Sequence, residues 1–190
     1  MTFNPFSTVV LSYLPGGEPG TIVAQTDPFI LASTSSAPNA GDLLLRRMYS
    51  FGGLASNFNM FVFTAGAVLG ATFGCLVMPD GTILAQTADR SGDAALVAGS
   101  ALWTAPFIAP VNLPAGPCYA GLLIAGATTM PAMGAFRPGT SAAAINAGKS
   151  IAARNLFSCN AGAGLAALPA SPLNPNAYTS QARSPWMAIT

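Results

Sequence analysis

The chain contains no histidine among its 190 residues, a single lysine, and only 7% charged residues. Histidine is the usual proton carrier of enzymes and the commonest zinc ligand, so its absence excludes a Ser-His-Asp triad and argues against a zinc site. The acidic residues, Glu18 and five aspartates, show no spacing typical of the carboxylate pair of a glycoside hydrolase. We therefore expect a protein that is not an enzyme and that needs no cofactor.

Long hydrophobic runs are also missing, although 52% of the residues are apolar. Gly, Pro, Ser or Asn interrupts every apolar run before the roughly 20 residues that a membrane-spanning helix needs. The first residues, Met-Thr-Phe-Asn-Pro-Phe, have neither the basic nor the continuous apolar region of a secretory signal. We expect synthesis in a cytoplasm and no membrane insertion.

Concentrated charge of either sign is absent as well. The formal net charge is +1, and Arg46-Arg47 is the densest cluster of basic residues. Neutralising a run of phosphates requires a stripe of Lys and Arg, so nucleic acid is not an expected partner.

Cysteine is scarce. Cys75, Cys118 and Cys159 are odd in number, far apart, without CxxC spacing, and set among apolar neighbours. This pattern indicates buried free thiols rather than a disulfide framework or a metal site.

The chain has many apolar residues and few charged residues that could keep the folded protein soluble. Soluble monomers usually carry a mixed, charged surface, and large exposed apolar patches mark interaction sites. We therefore expect the surface to be covered by copies of this chain or by a larger assembly.

Turn residues are abundant, with 20 glycines and 16 prolines separating short runs of β-branched, aromatic and aliphatic residues. This pattern predicts an all-β fold, a jelly-roll-like antiparallel sandwich. The clearest hairpin spans residues 73–86 and turns at Pro79-Asp80-Gly81. Further strands are predicted at 43–51 and 57–64 around Gly52-Gly53, at 102–108 and 118–124 around the turn-rich stretch 112–117, and at 153–159 and 186–190. Residues 140–153 are the only window that favours a helix.

Residues 1–40 differ from the rest because Pro and Gly recur among extended apolar stretches. We predict an N-terminal arm over residues 1–40 and a sandwich domain over residues 41–190. The arm's apolar side chains need cover, which pairing with the body or with a neighbour would provide. The predicted interface residues of the arm are Val9, Leu11, Ile22 and Phe29.

Arg46 and Arg47 would face opposite sides of a strand. Two interpretations are equally favoured: one arginine pairs with an acid of a neighbouring copy, such as Asp27 or Asp42, or both lie in solvent at a strand end.

The aspartates Asp80, Asp89 and Asp93 surround one predicted strand, and their oxygens could be imagined around a calcium ion. Their spacing lacks the alternation of known calcium loops. Capping of turns is the favoured interpretation.

The aromatic residues could form a sugar-stacking platform, as a carbohydrate-binding module would need. The candidates are Trp103, Trp186 and Tyr178, with Tyr49 and Tyr119 beside them. Their strand-like surroundings favour core packing or contacts between protomers.

Several segments together resemble a domain of virion proteins from tailed phages of actinobacteria, the minor tail or capsid-decoration type. The matching segments, in order, are 47–50, 62–69, 79–89, 102–106, 113–129, 168–172 and 185–189. Cys118-Tyr119 departs from the pattern, since many relatives carry Tyr-Tyr there.

The resemblance implies a jelly-roll-like sandwich, often oligomeric, on a virus particle, with no catalytic residues to carry over. The expected function is that of a structural virion protein forming a homotrimer with itself and contacting other capsid or tail proteins. The alternative is a host-attachment module that binds envelope glycans.

Overall fold

The computed structural model describes residues 24–25, 34–136, 156, 158–181 and 184–190, and these are mostly β-structure. One helical turn, α1 (Ala94–Ala98), and a 3-10 turn (Pro175–Ala177) interrupt the strands. In chain order the strands are β1 (Ala24–Gln25), β2 (Thr34–Ser36), β3 (Leu43–Thr64), β4 (Ala67–Leu69), β5 (Thr72–Val77), β6 (Ile83–Gln86), β7 (Ala101–Ile124), β8 (Ala127–Thr129), β9 (Ala132–Phe136), β10 (Ser158–Asn160), β11 (Thr179–Ser180), β12 (Ser184–Pro185) and β13 (Met187–Ile189).

Two long antiparallel strands, β3 and β7, form the frame of the molecule. Their register runs from Leu43 opposite Leu123 to Val62 opposite Ala101. The ladder breaks once, between Ala55 opposite Val111 and Asn57 opposite Pro106, so residues 107–110 of β7 bulge out against Ser56 alone. Bulges and glycines let a strand bend out of one layer into another, and Gly52 and Gly53 lie beside this break with positive φ.

The second edge of β3 is covered by several short segments in turn. β10 pairs with residues 44–46, β1 with residues 49–50, β13 with residues 58–60, and β9 with residues 62 and 64. A long unpaired edge invites pairing with other chains, and this cover shortens the unpaired part of β3.

The bent strands fold the sheet onto itself, and the main core lies between the two layers. Leu44 and Met48 from the first half of β3 share this core with Phe58 and Met60 from the second half. Gly74 of β5 lies against Phe58, since a Cβ built on Gly74 would be 2.5 Å from Phe58 Cγ. The predicted all-β, antiparallel sandwich is confirmed.

A second core lies on the other face of the first layer. Leu43, Leu45 and Tyr119 are buried there against Leu156, Cys159, Leu173 and Tyr178. The cover is anchored by hydrogen bonds such as Leu173 N to Gly81 O, 2.8 Å, and Leu165 N to Gly41 O, 3.0 Å. The first part of β3 is therefore buried on both faces, as its continuous apolar run indicates.

The hairpin over residues 73–86 is confirmed, with β5 and β6 paired around the turn. Gly81 has φ of +92°, and its missing side chain leaves room for the carbonyl oxygen of Leu173. The strand predicted at the C-terminus is also confirmed as β13.

Other expectations were wrong. Gly52 and Gly53 do not separate two strands but lie inside β3, and residues 112–117 are not a turn but part of β7. Pro110, Pro114 and Pro117 are tolerated there because no described strand pairs with the other edge of this stretch, where a missing amide costs little.

The helix α1 lies outside the window that favoured a helix; that window, residues 140–153, falls outside the described residues. Of the strand predicted at 153–159, residues 158–159 belong to β10. Of the arm, residues 24–25 and 34–40 are described, and its two strands, β1 and β2, pair with the body of the same chain. Val9, Leu11, Ile22 and Phe29 are outside the described residues. No helix in the described ranges has the length and hydropathy to span a membrane.

Candidate interaction surface

The aromatic residues proposed for sugar stacking are mostly buried. Trp103, Trp186 and Tyr178 are 1%, 8% and 5% exposed, and Tyr119 is fully buried. Trp103 and Tyr178 also belong to cores on opposite faces of the sheet. These buried side chains cannot stack on a sugar, so the stacking hypothesis is wrong for them. Their burial agrees with core packing, which the sequence favoured.

Trp103 is held by a polar contact that the sequence did not suggest. Its Nε1 donates to Asp93 Oδ2 at 2.9 Å, and its ring meets Phe58 edge-on with centroids 5.5 Å apart. Asp93 directly precedes α1, so the short helix places the carboxylate against the indole. A buried indole N–H needs such a partner, which gives Asp93 a structural role.

The other two aspartates cap turns, as favoured. Asp80 Oδ1 accepts from Thr82 N at 2.9 Å, and Asp89 Oδ1 accepts from Thr72 N and Ser91 N. The amide of Thr82 lowers the pKa of Asp80. Partial desolvation opposes the shift at Asp89, but the amides of Thr72 and Ser91 outweigh it and lower the pKa. Within the described ranges, no three acidic, Cys or His side chains gather as a metal site would require.

The two arginines face opposite sides of β3, as predicted. Arg46 is only 1% exposed, on the face of Leu44 and Met48, whereas Arg47 is half-buried on the other face. Neither a solvent-exposed arginine pair nor an interface role for Arg46 fits this burial. Arg47 stands opposite Tyr119, where burial raises the pKa of the tyrosine to about 12 and Arg47 opposes the rise.

The three cysteines are buried free thiols, as predicted. Burial raises the pKa of each thiol to about 12. Thiols that stay protonated at neutral pH are poor nucleophiles and poor metal ligands, so their role is packing.

Seven of the eight large apolar side chains that are exposed among the described residues lie in two regions. The first, called here the mid-strand surface, consists of Tyr49, Phe51 and Leu54 on β3. Tyr49 and Phe51 are 61% and 60% exposed, and their rings contact each other edge-on. They point to the same side of β3 as Leu43 and Leu45, beyond the reach of the cover formed by residues 156–178.

The second region, called here the end surface, consists of Phe63, Val68, Val97 and Leu102. Backbone hydrogen bonds hold its segments together: Gly66 N donates to Leu96 O, and Ser100 N donates to Phe63 O. Val68 is 79% exposed and has φ of +47°, a conformation that a β-branched residue rarely adopts. The sequence gives no sign of this surface, because strand-like apolar residues are normally expected to be buried.

A groove of about 540 Å³ lies between β6, the bulge of β7 and residues 168–171. Ile83, Leu84 and Gln86 form one wall, and Ile108 and Val111 form the other. Ile108 is 67% exposed at its rim, and none of the lining residues is charged. The groove can accept an uncharged, extended or apolar segment.

The geometry therefore describes a molecule whose aspartates cap turns or hold the Trp103 indole, whose thiols are buried, and whose surface exposes large apolar side chains. Comparison with known proteins adds no identification: no family model, no curated protein and no solved structure matches the chain.

Proposed function

We propose that this chain is a structural protein of a tailed-phage virion, of the minor tail or capsid-decoration type, that assembles with copies of itself. The exposed apolar surface carries the proposal. Eight large apolar side chains are about half or more exposed on a chain with only 7% charged residues. Burial of apolar surface stabilises association by about 25 cal/mol per Å² before the entropic costs of binding.

A permanent assembly suits such a surface better than a freely diffusing monomer. Obligate interfaces are apolar and resemble a divided core, whereas the surfaces of soluble monomers rarely hold large apolar patches. A closed ring of three copies is the proposed form, and contacts to other capsid or tail proteins would use the remaining apolar regions. The virion placement rests on the resemblance of the segments from residue 47 to residue 189.

The first test is the mass of the full chain in solution by light scattering, over a range of protein and salt concentrations. We expect a stable multiple of 19.1 kDa that does not change with salt, since apolar contacts are not screened. A monomer at every concentration would contradict self-assembly.

Placement on a particle needs a separate test. Antibodies against the purified chain, detected by gold labelling in electron microscopy, should decorate the capsid or tail of phage particles that carry its gene. Unlabelled particles whose proteins lack this chain by mass spectrometry would contradict the virion role.

The alternative, a glycan-binding host-attachment module, retains one supporting observation, the exposed ring pair of Tyr49 and Phe51. Sugar rings stack on exposed aromatic faces. Under this alternative, purified envelope glycans would bind the chain, and Tyr49→Ala would abolish binding while Leu102→Ala would not. Equal binding by both variants would contradict it.

A further inference from the structure

The groove beside β6 has the features of a receptor for an extended peptide. β6 is the last strand in the sheet order β1-β13-β3-β7-β5-β6, so no described strand forms a ladder with its outer edge. Only an isolated bridge between Thr87 and Phe107 connects its end to β7, and beyond this bridge the bulge of β7 turns away. The strand and the bulge therefore leave an opening between them.

The backbone of β6 offers polar groups to this opening. Thr87 N donates to Gly74 O on the β5 side, and backbone groups alternate in direction along an antiparallel strand. The amide of Gln86 therefore points away from β5, toward the groove that Gln86 lines. A register shift between Ala85 and Ile83 interrupts this alternation, so Ile83 N also points outward, where it donates to Ser171 Oγ at 3.0 Å. Ser171 thus already acts as a side-chain substitute for a neighbouring strand at one end.

The side chains that line the groove favour binding of an uncharged peptide segment. Ile83, Leu84, Ile108 and Val111 supply apolar walls, and a charged group placed there would lose hydration without a partner. An exposed strand edge beside apolar pockets is the arrangement used for peptide recognition by strand addition.

The chain itself contains a matching segment. Its first 17 residues carry no charged side chain and include the run Phe6-Ser-Thr-Val-Val-Leu11. The 23 residues that precede β1 can span at most about 80 Å, which is enough to reach a neighbouring molecule.

The position of β1 favours a neighbour over the same chain. β1 pairs with β13 and β3 and begins the strand order that β6 ends. If the segment before β1 of one copy enters the groove beside β6 of the next copy, the two copies make a head-to-tail contact. Such contacts close into a ring when the rotation between copies allows it. We propose that the groove between β6 and the bulge of β7 binds residues 1–17 of a second copy of this chain. This proposal rests on the self-assembly proposed above and names its contact.

The test is photo-crosslinking in the full chain, with p-benzoylphenylalanine in place of Ile108. Because Ile108 is exposed at the rim, the replacement should leave the fold intact. Chains labelled with ¹⁵N and unlabelled chains are mixed under conditions that allow exchange, irradiated and digested. Only the unlabelled chains carry the photo-reactive residue, and the ¹⁵N-labelled chains are in excess. We expect cross-links from position 108 to peptides of residues 1–17, and we expect more than half of them to join an unlabelled chain to a labelled one.

The matched control carries the same photo-reactive residue at position 97, on the end surface, where no cross-link to residues 1–17 is expected. Cross-links from position 108 that stay within one chain, that map to other segments, or that arise equally from position 97 would overturn the proposal. Light scattering on the same samples separates the two hypotheses. If the mass is a stable multiple of 19.1 kDa but the cross-links show one of these contrary patterns, only the groove assignment is overturned. If the chain is a monomer, the assembly is overturned as well.

A second variant tests the contact without a photo-reactive group. Ile108→Asp places a charge at the rim and should weaken self-association by about tenfold or more. Ala94→Asp, at an exposed position of α1 that is not among the eight exposed apolar side chains, is the control and should leave the same equilibrium within about twofold. An unchanged equilibrium in Ile108→Asp, with the circular dichroism spectrum retained, would overturn the proposal.

Discussion

Two stretches of β3 carry similar apolar side chains on the same face, yet one is buried and the other is exposed. Leu43 and Leu45 are almost fully buried, while Tyr49 and Phe51 are about 60% exposed a few residues later. Both stretches pair with β7 in one continuous ladder. The difference is the segment over residues 156–178, which packs on the first stretch and ends before the second.

The comparison teaches that an apolar strand pattern predicts a need for cover but not its source. For the first stretch, the cover comes from more than 100 residues away in the same chain. For the second, we propose that other molecules supply it.

The largest expected effect on the free energy of unfolding distinguishes the covered stretch of β3 from the exposed one. Leu45→Ala should lower the free energy of unfolding by about 2 to 5 kcal/mol because it opens a cavity in a covered core. Phe51→Ala should change it by only about 0.5 kcal/mol or less. Urea unfolding at one low protein concentration measures both, and equal losses would contradict the assignment of covered and open stretches.

A second prediction concerns the contact between the two layers. Gly74→Ala should destabilise the fold by about 1 to 3 kcal/mol, because its Cβ would collide with the buried ring of Phe58. Gly92→Ala is the matched control, since a Cβ on Gly92 meets nothing within 4 Å. Adding Phe58→Leu to Gly74→Ala should recover part of the loss, and a strictly additive double variant would argue against this contact.

A third, smaller effect is expected at the buried indole. Asp93→Ala should cost about 1 to 2 kcal/mol by leaving Trp103 Nε1 without its acceptor. Asp93→Asn keeps an acceptor oxygen and should cost less. Thermal unfolding followed by tryptophan fluorescence reports both, and identical losses would indicate that helix packing, rather than the hydrogen bond, is the cause.

The smallest expected effect is the pH dependence of stability that the three thiols cause. Their folded pKa of about 12 lies above the ordinary value of 9.0, so unfolded thiols lose protons at lower pH than folded ones. Their contribution to stability is therefore complete below pH 9 and falls as the pH rises from 9 toward 12.

Ellman's reagent at pH 8 tests the same burial: no thiol should react in the folded chain, and three should react in guanidinium. Rapid labelling of Cys75, Cys118 or Cys159 in the folded chain would contradict the burial.

Prediction from the sequence succeeded where local chemistry decides. The hairpin around Pro79-Asp80-Gly81 follows from turn residues, and the opposite faces of Arg46 and Arg47 follow from strand alternation. The burial of the thiols follows from their apolar neighbours. None of these depends on a distant segment.

Prediction failed where a distant partner decides. Pro114 and Pro117 signal a turn locally, but pairing with β3 holds them in β7, on a stretch whose other edge no described strand occupies. For Trp103 the sequence favoured burial but left open whether it packs in the core or against a second protomer, and only the assembled layers place it in the main core.

The sequence by itself determined the β-class of this protein, its turns, the alternation of its faces and the excess of apolar surface that must be covered. Only the tertiary structure decided which apolar residues are covered within the chain, because that depends on where β3 and β7 bend and on how far the segment over residues 156–178 extends. The groove beside β6 likewise exists only in the folded molecule, since it forms between segments that are distant in the sequence.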